Sequence, residues 1–300
     1  MNLPVIVAVT ATYRRPEEMA RLLRSLDKSE PPLRAIVAVD NGRDLESLPP
    51  TTFPVHRLAP ETNLGCGGGL RLGEESALKL HPDLTHLWIL DDDTVVTPQT
   101  LGTLLSAMSA TGADAAHPLV SGPNGELGWF PGLLDREKFR AIRAPQTPEQ
   151  YVSRCGEAPV PFSWCQGIAL LVTRRALDEV GFHRDDYWVR GEDLEFTLRI
   201  TRRFAGILVP SARVQHLPPA AATEAQDTAE YPKHRAMLQN LAYTSTRLAH
   251  GRPLLRTLPG NWLRFLRIWG CQPAVVADAF TAFWRGAALA RPAGVRGKRS

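Results

Sequence analysis

Three stretches in the first hundred residues carry apolar side chains with little alternation: "PVIVAVTAT" (4–12), "RAIVAVDNG" (34–42) and "THLWILDDD" (85–93). Successive side chains of a strand point to opposite faces, so such a run has no side to offer water and must be covered above and below. Helical patterns lie between the runs. "RRPEEMARLLRSLDK" puts Pro16 at a first helical position and spaces Met19, Leu22, Leu23 and Leu26 along one face. A second helix is expected over 70–80, after the glycine-rich "NLGCGGGLRLG" (63–73). A third is expected over "TPQTLGTLLSAM" (97–108), with Thr97 as its cap and Pro98 at its start. The β-α-β-α-β order predicts an α/β fold, a mainly parallel central sheet with helices on both faces.

Farther along the pattern loosens. "HPLVSGPNGELGWFPGLLD" (117–135) has the turn chemistry of a hairpin or loop, and 140–162, with Pro145, Pro148, Pro159 and Pro161, is expected to be a long surface loop. "SWCQGIALLVTRRALDEVG" (163–181) reads as strand then helix, "GEDLEFTLRITRRF" (191–204) as a helix, and "AGILVPSARVQH" (205–216) as a strand. A polar stretch at 218–230 then separates a body, residues 1–217, from a helical C-terminal extension, residues 218–300, with helical patterns at 233–250 and 261–290.

Charge and cysteine usage narrow the setting. Cys66, Cys155, Cys165 and Cys271 form no CxxC pair, which favours a reducing cytoplasm. "MNLPVIVAVTATYRRP" has no basic residue before its apolar run and no small-residue cleavage site, so it reads as a strand and not a signal peptide. No stretch approaches the roughly 20 uninterrupted apolar residues of a transmembrane helix. From Arg247 onward ten Lys or Arg face one acid, Asp278, so a basic tail follows an acidic body. That asymmetry suits an anionic partner, membrane or nucleic acid. "NWLRFLRIWG" (261–270) combines Trp262, Leu263, Phe265, Leu266, Ile268 and Trp269 with Arg264 and Arg267, as an interfacial helix would. A cytoplasmic protein peripheral to the inner face of the cell membrane is one expectation; a helix packed on the body or on a second copy, as in a homo-oligomer, is the other. Nucleic acid ranks lower, because no recognised module accompanies the charge.

The chemistry concentrates at strand ends. Asp91 and Asp93 fall on one side of a strand and Asp92 on the other, at the carboxyl end where open α/β sheets bind ligands. Two same-side carboxylates repel unless a divalent cation neutralises them; a solvated acidic turn is the plainer alternative. Glu192 and Asp193 open a helix whose dipole favours negative charge, beside Tyr187, Trp188 and Arg190 of "YWVRGED". A carboxylate kept ionised at a cleft can serve as a general base. His216 ends a late strand, and an imidazole joining carboxylates suits a Mn-like ion. The glycines of "NLGCGGGLRLG" permit close backbone approach to phosphate, but no Gly-Lys-Ser/Thr follows and the dinucleotide spacing is not met.

In order along the chain, "VTATYRRPE", "VAVDNG", "NLGCGGG", "LDDD", "GEDLEFTLR" and "VQH" resemble the inverting family-2 glycosyltransferases of the GT-A fold, and within them the bacterial galactofuranosyl- and rhamnosyltransferase branch. The resemblance spans residues 4–217. It implies a Rossmann-like nucleotide-binding half and a divalent cofactor, Mn²⁺ or Mg²⁺. It implies a nucleotide-diphosphate sugar donor (a UDP- or dTDP-sugar) and a glycan or lipid-linked glycan acceptor. Thr10, Tyr13 and Arg14 would border the nucleotide, and Asp40 would bond the donor base. Asn63, Gly67, Gly68 and Arg71 would pack beside nucleoside and phosphates. Asp91 would face the ribose or metal side with Asp92 next to it, Asp93 and His216 would ligate the metal, and Asp193 would be the catalytic base. Glu192 would serve the acceptor, and Trp129, Phe130 and Trp164 offer apolar ring faces either to the acceptor's sugars or to core packing. Two rivals are weighed. An NAD-type oxidoreductase needs a glycine fingerprint after the first strand, where "TATYRRPE" stands. A binding protein that kept the fold has no need of a base.

Overall fold

The computed structural model describes residues 4–144, 147–218, 230–247 and 252–288. Pro145, most of the polar stretch 218–230 and the last basic residues lie outside them. The first half follows the expected order: β1 (Ile6–Thr12), α1 (Pro16–Leu26), β2 (Ala35–Asp40), β3 (Val55–Leu58), α2 (Gly65–Leu80) and β4 (His86–Leu90). A short β5 (Thr94–Val96) precedes α3 (Thr100–Thr111), β6 (Ala115–Ser121) and β7 (Gly132–Leu133). Then come α4 (Arg136–Arg143), α5 (Pro148–Cys155), β8 (Val160–Trp164), β9 (Ala169–Thr173), α6 (Arg174–Val180), α7 (Glu192–Thr201) and β10 (Gly206–His216). The extension forms α8 (Glu230–Arg247), α9 (Arg252–Trp269) and α10 (Pro273–Ala288).

The strands make one sheet in the order β3-β2-β1-β4-β9-β6-β10-β8-β7, with β5 paired to β10. Among the described strands, β5, β8 and β9 alone run against the common direction. Alternate residues of β1 feed separate cores. Ile6 and Ala8 pack with Met19, Leu22, Leu23 and Leu26 of α1 and with Leu101 and Leu104 of α3. Val7 and Val9 pack with Leu70 and Ala77 of α2 and with Phe196 and Ile200 of α7. Each aliphatic side chain so buried contributes about 1.5–3 kcal/mol.

Several boundaries differ from expectation, each for a local reason. Helix α2 starts at Gly65 and not near residue 70, so the glycine run is its first turn. Thr97 does not cap α3: its N–H donates to Thr100 Oγ1 (3.0 Å), and the helix begins three residues later. The expected loop over 140–162 contains α5 and β8; Thr147 and Gln150 form a capping box that the proline content obscured. The hairpin-like segment from 117 enters the sheet as β6. The helical pattern 261–290 is broken at Gly270, which takes φ +87° three residues before Pro273.

In the extension, Leu238, Phe265, Leu266, Ala279 and Ala282 form a core of their own, joined by Trp262 and Trp269. Most of the aromatic face of 261–270 is therefore consumed by packing, leaving Leu263 exposed there and Phe280 and Trp284 exposed on α10. No described helix is long and apolar enough to cross a membrane.

Close backbone approach fixes α2 against the segment before α7. A Cβ on Gly67 would lie 2.2 Å from the Tyr187 carbonyl oxygen and 2.5 Å from that of Arg184. Backbone cannot retreat as a side-chain tip can, so Gly67→Ala is expected to cost at least about 2 kcal/mol. Gly260→Ala, on helix α9 with open space around it, is expected to be neutral or slightly stabilising. Urea denaturation of the two variants checks the contrast.

Candidate active site

Strand β4 ends at Leu90, and the chain reverses through Asp91–Asp93 into β5. That strand pairs antiparallel with the end of β10, setting Thr94 opposite His216 and Val96 opposite Val214. The Leu217 N–H donates to the Asp93 carbonyl (2.9 Å) and closes the turn. His216 Nε2 then stands 2.7 Å from Asp93 Oδ1 and 3.5 Å from Asp91 Oδ2. Asp93 Oδ1 is buried, with the His216 imidazole as its near neighbour. Trp129, at φ +50°, sets its ring edge-on to His216 at 4.3 Å. Asp92 turns the other way and accepts from Thr12 Oγ1 (2.6 Å) and Arg15 Nη1 (3.1 Å); the same guanidinium nitrogen reaches Asp93 Oδ2 at 2.9 Å.

These neighbours divide three adjacent carboxyls. Burial penalises the Asp93 charge, but His216 and Arg15 outweigh it and hold the carboxyl below its ordinary range. Burial pushes Asp92 up to about 6 despite Thr12 and Arg15. Burial also works against an imidazolium at His216, yet Asp91 and Asp93 prevail and raise it to about 9. Asp91, Asp93 and His216 offer ligand atoms within 4.8 Å of one another. Two carboxylates and one imidazole are a donor set that fits a divalent cation of the Mn type.

The opposite wall is the N-terminus of α7. Arg190 at φ +65° and Gly191 at φ +95° swing the chain into the helix. The Asn240 side chain of α8 clamps that bend by donating to the carbonyls of Val189 (3.3 Å) and Arg190 (2.8 Å). Arg190 Nη2 pairs with Glu230 Oε2 at 2.7 Å. Glu192 is buried, and burial raises its carboxyl. Asp193, with 27% of its side chain exposed, is pushed up to about 8 by burial and then by repulsion from Glu192 and Asp91, against the Gly167 N–H that donates to it.

Both walls face one cleft of ≈ 610 Å³. Of the expected residues, Tyr13, Asn63, Asp91, Asp92, Asp93, Trp129, Glu192, Asp193 and His216 line it. Others lie elsewhere. Thr10 is buried within β1. Arg14 is exposed and stacks on Tyr13 at 5.2 Å. Asp40 is fully buried, its oxygens taken by the N–H groups of Asp44 and Leu45 and by Arg57. Gly67 and Gly68 are buried in α2. Arg71 pairs with Glu75 and Asp185. Phe130 packs on the core, and Trp164 lies over Gly132. Asp91 joins the ligand group that was expected of Asp93 and His216 alone.

The cleft also holds Thr12, Arg15, Asn41, Cys66, Trp188, Arg190 and Lys233, which the motif reading did not select. Trp188 and Arg190 were visible in the "YWVRGED" flank. Asn41 follows Asp40 and bridges the Leu64 N–H and the Gly65 carbonyl. Lys233 comes from the extension, and no local pattern pointed to it.

The sequence signature described as "Glycosyl transferase family 2" matches residues 7–168, more than half of the chain. The chain belongs to glycosyltransferase family 2. This glycosyltransferase is 28% identical over 236 residues to an N-acetylglucosaminyl-diphospho-decaprenol L-rhamnosyltransferase of Mycobacterium tuberculosis, covering 71% of this chain and 76% of the relative. It is 28% identical over 280 residues to a galactofuranosyltransferase of Mycolicibacterium smegmatis, covering 87% and 88%. Its fold is that of GT-A enzymes. GalNAc-T7 solved with UDP, GalNAc and Mn²⁺ superimposes with a TM-score of 0.56 at 15% identity, over 87% of this chain and 54% of that one. A mannosyltransferase of Pyrobaculum calidifontis solved with GDP-Man and Mn²⁺ gives 0.54 at 15% identity, over 97% and 77%. TarS of S. aureus gives 0.56 at 16%, over 95% and 81%. The expected family, fold and enzyme class are thus met.

Without metal, a His216 titrating near 9 is protonated at neutral pH, whereas a ligating imidazole must be neutral. Mn²⁺ binding to the glycosyltransferase is therefore expected to release about one proton per ion at pH 7.5, and to tighten by up to tenfold per pH unit up to about pH 9. Calorimetry in buffers of different ionisation enthalpy measures both, and His216→Ala should abolish the release.

Proposed function

We propose that the enzyme carries out metal-dependent, inverting transfer of a hexosyl group from a nucleotide-diphosphate sugar to a hydroxyl of a glycan or glycolipid. Galactofuranose and rhamnose are the favoured groups, in line with the names of the two mycobacterial relatives. The observation that carries the reading is the juxtaposition of the Asp91–Asp93–His216 cluster and Asp193 in one cleft.

Asp91, Asp93 and His216 would hold the cation, which when bound neutralises charge on the diphosphate leaving group. Tyr13, Asn41 and Asn63 border the same end of the cleft and would contact the nucleoside. Arg15 and Lys233 add positive charge where the diphosphate would lie. Trp129 and Trp188 offer ring surface to sugar faces.

Asp193 would accept the acceptor hydroxyl's proton as that oxygen bonds to the anomeric carbon. The bond from that carbon to the diphosphate oxygen breaks with its electron pair leaving on the diphosphate. Attack from the opposite face inverts the configuration. A base of this kind contributes about 10²–10⁴-fold. Because the Asp193 carboxyl is raised, only its ionised form, gained as pH rises, can act. A cation beside Asp91 weakens the repulsion behind that rise.

Asp193→Asn is expected to lower kcat by at least about 10²-fold while leaving donor binding intact, and transfer at the wild-type rate would overturn the base role. The acid limb of kcat/KM is expected above the ordinary carboxylate range, between about 5 and 8. A thermal-shift panel of UDP-, dTDP- and GDP-sugars with and without Mn²⁺ identifies the donor, since a ligand that binds only the folded state raises its stability.

An acceptor carried on a lipid would place the enzyme at the membrane face. Exposed Leu263, Phe280 and Trp284, with Arg264, Arg267 and Arg285 exposed on the same two helices, support that location. Phe280→Ser with Trp284→Ser is expected to reduce co-sedimentation with anionic vesicles severalfold without altering donor-induced stabilisation.

A further inference from the structure

Behind Asp193 lies a second ionisable pair, closed to water. Glu74 on α2 and His183 have side chains 0% and 1% exposed. Glu74 Oε2 accepts the His183 backbone N–H (2.8 Å), and Oε1 lies 2.7 Å from His183 Nδ1. The ring stacks on Phe196 of α7, centroids 4.0 Å apart and 26° from parallel. Backbone, Nδ1 and ring face are all fixed, so the imidazole has one orientation. Its Nε2 is buried without a hydrogen-bond partner and lies 3.9 Å from Asp193 Oδ1. A glutamate enclosed in an apolar layer is costly, and a core needing only volume would be served by an aliphatic residue.

We infer that Glu74 and His183 form a positioning pair for the base: Glu74 orients the ring and stabilises its doubly protonated form, so that His183 presents an Nε2–H to the Asp193 carboxyl and favours its ionised form. The inference rests on Asp193 being the base. His183 is faced by Glu74 from α2 and by Glu192, Asp193, Glu195 and Arg199 from α7. Asp193 is faced by Glu192, by Asp91 after β4, by His183, by the thiols of Cys66 and Cys165, and by the Gly167 N–H. Arg199, the other cation near the ring, is engaged by Glu195 at 2.8 Å and by the Phe182 carbonyl at 2.7 Å. His183 is therefore the group placed to offset the acids around Asp193.

The test is a carboxyl ¹³C titration of the full chain labelled at aspartate, with Asp193→Asn identifying the signal. His183→Gln should raise the Asp193 midpoint by about one pH unit. Glu74→Gln should move it in the same direction, and the double variant should go no further than His183→Gln. With the donor found by the thermal-shift panel, kcat of His183→Gln at pH 7 should fall about tenfold, with KM unchanged and the loss recovered at higher pH. A midpoint that stays put in folded His183→Gln overturns the inference. If that variant does not fold, an unmoved midpoint in Glu74→Gln does the same. Should Asp193→Asn retain transfer, the base role fails and the inference with it. Should that variant be inactive while the midpoint does not move, the pair alone fails.

Discussion

Three consecutive carboxyls at the end of a buried strand are tolerable only if each meets a different partner. The pairing of β5 with the end of β10 is what supplies them. It folds the acidic turn back so that Asp91 and Asp93 meet His216. Asp92 is left to Thr12 and Arg15, contributed by the first strand and the loop after it. Two segments far from it in sequence, 12–15 and 214–217, thus converge on one turn. Without that pairing β4 would end in an uncompensated negative patch, with each carboxyl shifted toward its neutral form.

The two walls of the cleft use charge in opposite ways. Around Asp93, nearby cations overcome desolvation and the carboxyl stays charged. Around Asp193, desolvation and two like charges prevail and the carboxyl is drawn toward its neutral form. Carboxyl groups driven apart in this manner are suited to different tasks, one to holding positive charge and the other to exchanging a proton.

Much of this arrangement was legible in the sequence because it depends on local rules. Unalternating apolar runs indicated β1, β2 and β4, and the acids expected at a strand end do line the cleft. The residues that escaped notice depend on tertiary contact. Asp40 looks like a donor-facing acid on its strand, but Arg57 and two backbone amides occupy it, and its neighbour Asn41 faces the cleft instead. Thr12 and Arg15 acquire meaning only beside Asp92, and Glu74 only beside His183. The glycines of α2 suggest close approach to phosphate by composition alone, yet Gly67 is required by the carbonyls of Tyr187 and Arg184. The aromatic residues of 261–270 had the composition of an interfacial helix, but a three-helix core absorbs most of them.

The clamp formed by Asn240 makes the C-terminal helices more than an appendage. Helix α8 grips the Val189 and Arg190 carbonyls on one side. On its other side it packs so tightly on α10 that a Cβ at Gly286 would overlap the Gln239 carbonyl. The bend that aims the first turn of α7 and the seat of α10 are therefore held by two consecutive residues, Asn240 and Gln239.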